Sequence, residues 1–394
     1  MTNNTSKITG DSNIVLQDIN ARDIIISIAK DLPIEIKQQK ESLNVKLKEL
    51  AETLEVIDDK VKNGPKPEAI TPPEDDPAYD AIRWRRLLQA LQYQRCVLFI
   101  GPEISVNSQG DSLHQEFYKE LVLDYPEIEY LENEGYFSPE ADEIILYDIL
   151  DFYSKEFPRK NKTGRKILEQ LAQVPFSLII SLCPDDTMHK VFSDYDLDHQ
   201  FLSYDGTKQE VEPMTPEKPM VYNILGNATS NGRYIFTYEN FYNYLNKIHI
   251  PTEIKKKIQD ATHYLFIGFD FNKWYNRLLL FILEFEHKKT GAHRLTIGNK
   301  NVKEDIEKFI ARQFNITFID NEHSQFIEWL IHNVGEDGTS RNLSQGFVHK
   351  SFMKLKSLSA KVGTEDNLDE LIKIEGQVGE IAGSITRFQE KLNS

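Results

Sequence analysis

CVLFI, residues 96–100, is an unbroken apolar run that ends on Gly101. A strand with one wet face alternates apolar and polar residues. A run without alternation is buried on both faces, as in a parallel sheet covered by helices. CVLFIGPEIS therefore reads as a strand that delivers the chain to a tight turn at a ligand-binding edge. The turn itself carries Pro102 and Glu103. Proline has no N–H to offer a phosphate, and a carboxylate repels one.

Further runs of this kind follow. Strands are expected at 96–100, 176–182, 221–225, 234–237, 263–268, 293–297 and 316–319, with helical segments between several of them. Ahead of the first strand, residues 83–94 pattern as a helix with Ile82, Leu87, Leu88 and Leu91 on one side. The alternation predicts an α/β fold over 80–335: a doubly wound, mostly parallel Rossmann-like sheet.

Both ends of the chain pattern differently. Residues 13–17 and 23–28 are short β-like runs. Two strands cannot bury a core alone, so they pack on their own domain or assemble with another chain. Over 34–62, Ile36, Leu43, Leu47, Leu50, Leu54, Ile57 and Val61 recur at heptad spacing, after a gap at the polar position 40. That is a coiled-coil seam or a helix laid on the core. Residues 63–77 hold five prolines in fifteen positions and read as a stiff linker. In the tail, Leu371, Ile374, Val378, Ile381, Ile385, Phe388 and Leu392 repeat the seam, with Gly376, Gly379 and Gly383 inside the same helix. The expected organisation is 1–62, a linker to 79, a sheet domain at 80–335 and a helical segment at 336–394. The N-terminal β/coiled-coil segment and the C-terminal helices are candidates for assembly through Leu43, Leu47, Leu50, Leu54, Ile57, Val378, Ile381 and Ile385.

The formal net charge of the 394-residue chain is −16. An acidic surface disfavours nucleic acid and anionic lipid as partners. The polar N-terminus has no apolar signal core and no stretch reaches the roughly 20 apolar residues of a membrane span, so a cytoplasmic protein is expected. Cys96 and Cys183 are the two cysteines, too few for a disulfide framework or a cysteine zinc cluster. The chain has neither a Walker-type G-x-x-x-x-G-K-[ST] nor a G-x-S-x-G elbow. RWRR at 83–86 reads as a solvated helix face.

Five segments in order carry a resemblance: VLFIGPEIS (97–105), FSLIISLCPDD (176–186), VYNILGN (221–227), YIFTYENFYNYL (234–245) and HYLFIGFDFNKWYNRLLL (263–280). Together they resemble the sirtuin-like domains of bacterial antiphage defence proteins. The resemblance implies an NAD-binding turn at the first segment, and an asparagine and a histidine that promote glycosidic cleavage. Carried over, the asparagine position falls on Cys183 and the histidine on Leu225. The second glycine of the turn falls on Glu103, with no obvious cation to balance it. Leucine has no proton chemistry. The resemblance thus implies a catalytically degenerate domain whose vestigial pocket keeps Gly101, Ser105, Asp185 and Gly268. It needs no cofactor; NAD enters only on the alternative reading, a hydrolase of NAD or an NAD derivative with rearranged groups. Expected partners are further copies of the chain, in an oligomer or filament, and an effector protein or phage component.

Other groupings are weaker. His114 is expected as a capping or buried histidine. Cys183, Asp185, Asp186 and His189 form a loose cluster that fits no zinc spacing, so no metal is expected. A nucleophilic Cys183 beside His189 has equally thin support. Asp270 and Arg277 lie seven residues apart, facing the surface or a ribose.

Overall fold

The structure is a computed structural model that describes residues 32–63, 81–108, 110–132, 135–229, 234–283, 292–298, 302–319, 323–336 and 340–392. The β-like runs at 13–17 and 23–28 and the proline-rich linker lie outside the described residues. The chain divides into two compact units: residues 1–68, 194–197 and 342–394 in one, and 69–193 with 198–341 in the other.

The larger unit is built on strands β1 (Cys96–Ile100), β2 (Tyr130–Leu131), β3 (Tyr136–Phe137), β4 (Leu178–Ser181), β5 (Gln200–Ser203), β6 (Met220–Asn223), β7 (His263–Ile267), β8 (His293–Ile297) and β9 (Ile316–Ile319). Seven of these form one sheet in the order β5-β6-β4-β1-β7-β8-β9, and every pairing in it is parallel. β1, β4, β6 and β7 are buried at every residue, as the non-alternating runs require. From β1 the chain passes to its neighbour β4, then to the edge strand β5 and back in to β6, before crossing to the other side of β1 with β7. The strand order therefore reverses at β1, where open α/β sheets take their ligands.

β2 and β3 form a separate antiparallel ribbon. With the helices between Leu113 and Gln173 it belongs to a layer inserted between β1 and β4. That layer has its own aromatic core, in which Phe117 stacks on Phe152 at 3.7 Å between ring centroids.

Two expectations need correction here. The expected strand at 234–237 is not in the sheet: Tyr234 and Thr237 make only isolated bridges, to Gly226 and Phe137, and Thr237 caps the helix Tyr238–Lys247. An edge strand, β5, was absent from the expectation, because QFLS mixes polar and apolar residues and is half-buried throughout. In RWRR, Trp84 is buried against Phe326 and Trp329, while Arg85 and Arg86 are exposed as the solvated face.

The smaller unit gathers the two ends of the chain. Helix Ile34–Asn63 packs on both Leu343–Thr364 and Leu368–Leu392. Leu43, Leu47, Leu54 and Ile57 are buried within one chain, as are Val378 and Ile385. Leu50 and Ile381 are only half-buried; Ala51 takes the inward place beside Leu50. Lys40 fills the polar gap in the seam, 1% exposed, with its Nζ 2.9 Å from Asp366 Oδ1. A Cβ added at Gly376 or Gly379 would meet nothing within 4 Å. Among the described residues, no helix is long and apolar enough to cross a membrane.

Candidate functional site

Register brings four strand ends into one row. Ile100 pairs with Ser181 and with Ile267, and Ser181 with Asn223. Gly101, Leu182, Ile224 and Gly268 thus follow at a common level. Gly101 N–H donates to Ile267 O at 2.9 Å and Glu103 N–H to Gly268 O at 3.1 Å. Two of the turn's amides are therefore engaged by the chain's own carbonyls, and Pro102 between them has none. The two glycines interlock. A Cβ at Gly101 would lie 2.0 Å from Gly268 O, and one at Gly268, whose φ is +69°, would lie 2.4 Å from Ile104 N.

The cation that balances Glu103 is Lys273, which forms an ion pair with it across 170 residues of sequence. The two side chains are 12% and 8% exposed. Burial raises the Glu103 pKa against the pull of the ammonium. Burial alone would lower that of Lys273, but the carboxylate overcomes it and the net shift is upward. Lys273 escaped the sequence reading because nothing in NKWYN marks it as facing a turn so distant in sequence.

Cys183 and Leu225 follow β4 and β6, and Asn223 Nδ2 ties their loops by donating to Asp185 O at 2.8 Å. Burial pushes the Cys183 thiol well above its ordinary value, which removes thiolate chemistry. Leu225 lines a cavity of about 40 Å³ together with His114, Tyr136, Lys273 and Tyr275. At roughly 10–15 Å³ per water, that holds about three waters. Asp185 Oδ1 accepts from Thr187 N at 2.8 Å, at the start of helix Thr187–Asp194. Its Oδ2 lies 3.9 Å from His114 Nε2. Ser105 is half-buried in extended backbone.

His114 is buried, as expected. Its Nδ1 lies 2.9 Å from the Tyr153 hydroxyl, which continues to Tyr118 (3.0 Å) and Tyr234 (3.1 Å). Burial, with Lys273 nearby, lowers the imidazole pKa to about 3, so the ring is neutral near pH 7. His189 turns away from the loose cluster and meets His199 at 2.7 Å, while Asp186 pairs with Lys190. Among the described residues no three potential metal ligands converge. Arg277 donates to Phe271 O and Asn272 O, and Asp270 accepts from Asn272 N.

A buried parallel sheet with its ligand edge at the reversal point defines the Rossmann-like class. Within it, residues 178–319 match the family model described as SIR2-like domain. The match runs from the first residue of β4 to the last of β9, so this part of the chain is similar to SIR2-like domains. β1 and its Gly101 turn precede the matched stretch. A search of curated proteins found no match.

Proposed function

We propose that the sheet unit is a catalytically silent SIR2-like domain that acts as a scaffold or sensor. Its setting is a bacterial antiphage defence system in the cytoplasm, and it works by self-assembly and by recruiting an effector or phage component. The observation that carries the silent reading is the buried Glu103–Lys273 pair at the turn beside β1. The Glu103 carboxylate belongs to the turn on which the five-segment resemblance would put a dinucleotide pyrophosphate. Leu225 on the cavity it shares with His114 and Lys273, and the un-ionised Cys183, agree with it. The defence setting is supported by the five-segment resemblance. Self-assembly is supported by the β-like runs at 13–17 and 23–28, since the helical seams find partners within their own chain.

Purified full-length protein incubated with NAD should release no nicotinamide by chromatography. Turnover that disappears in Asp185→Asn would show an enzyme instead. Light scattering on the same sample checks assembly, and a monomer at micromolar concentration removes that part of the reading.

A further inference from the structure

A cavity of about 580 Å³ lies in the sheet unit, bounded by one helix, the connection that enters it and the end of a second helix. Its size falls within the roughly 300–1,000 Å³ of small-molecule sites. It shares no lining residue with the cavity at Leu225. Helix Thr252–Asp260 supplies one wall through Thr252, Lys255, Lys256 and Gln259. That spacing puts the four on one helical face. Ile254, fully buried, anchors the opposite face of the helix on the hydrophobic core.

The facing wall is apolar. Ile248 and Ile250 come from the connection before that helix, and Ile282 and Leu283 from the end of helix Trp274–Ile282. Among the described residues no carboxylate lines the cavity, although the chain carries 62 acidic residues against 46 basic ones. Glu253 and Asp260 belong to the same helix but not to this wall. His249, on the connection, is the remaining titratable group of the lining. The cavity is thus a positive spot on an acidic protein, and Lys255 and Lys256 are exposed, which puts their charge at its mouth. An aliphatic enclosure binds an apolar chain by removing it from water. Lysines at the mouth hold an anionic end in reach of solvent while their stems cover apolar surface.

We propose that this cavity binds a single-chain amphiphile with an anionic head, of the kind a fatty acid provides. The aliphatic chain lies against Ile248, Ile250, Ile282 and Leu283, and the carboxylate meets Lys255 and Lys256. The ligand is bound and undergoes no chemistry. The site goes beyond the scaffold reading and does not rest on the silence of the turn at Gly101.

Decanoate, decanol and acetate are the probes, titrated calorimetrically into full-length wild type and the double variant Lys255→Gln/Lys256→Gln. Wild type should bind decanoate about fivefold more tightly than decanol, the preference conferred by an ion pair near the surface. It should not bind acetate, which has no chain to bury. The double variant should bind decanol as wild type does and decanoate no more tightly than decanol. Both substituted residues are exposed, so the variant should fold, which circular dichroism checks. If wild type binds neither long-chain compound, the cavity is closed by the chain itself and the assignment falls. It falls equally if decanol binds as tightly as decanoate, if acetate binds as well as decanoate, or if the double variant keeps the preference. Nicotinamide release from NAD would sink the silent reading and leave this result standing.

Discussion

Two lysines are buried among the described residues, one in each unit, and they are held in opposite ways. Lys40 lies in the helical unit, and its partner Asp366 is 64% exposed. The ammonium itself is enclosed, with Gly363 O at 3.5 Å as a second acceptor, and it is only the partner carboxylate that faces water. Lys273 differs in its partner, because Glu103 is enclosed with it. A carboxylate that faces water is rehydrated when its lysine is lost. An enclosed one is left as an uncompensated buried charge. The contrast separates the two pairs by the exposure of the acid and not of the lysine.

The same substitution at both lysines tests the contrast. Lys273→Met, which strands the Glu103 carboxylate, should lower stability by about 3 kcal/mol, read as a loss in denaturation midpoint. Glu103→Gln/Lys273→Met should recover most of it. Lys40→Met should change stability by no more than about 1 kcal/mol in either direction, because its exposed partner is rehydrated at once. A Lys40→Met loss as large as that at Lys273 would erase the distinction. Asp366→Ala should have the smallest effect, a few tenths of a kcal/mol in urea melts, shrinking further at high salt.

Much of the sheet was legible because central parallel strands are apolar-rich on both faces, as in CVLFI and HYLFI. HRLTI and ITFI, nearer the edge, are also strands at the expected residues although polar residues interrupt them. QFLS was not legible, since an edge strand is half-wet and carries no run. YIFT at 234–237 looked strand-like through its aromatics, yet it makes only isolated bridges and Thr237 caps a helix. The seam residues were legible as helical but not in their partners. Heptad spacing records that a face is covered, not whether the cover is the same chain or another. Lys40 in the seam and the Glu103–Lys273 pair were invisible for a common reason. The partners are 326 and 170 positions apart in sequence, and local pattern carries no such information. Cys183, Leu225, Gly101 and Gly268 were placed near the strand ends by segment order alone, and they lie at or just beyond those ends. Asp185 serves a helix start there.

The interlocked glycines set the kind of motion open to this edge. With Gly101 and Gly268 packed backbone against backbone, the turn after β1 and the turn after β7 form one mechanical piece. Neither can swing outward without carrying its neighbouring strand. Movement of either turn is therefore tied to the sheet, which sets this edge apart from a free loop that opens in microseconds to seconds.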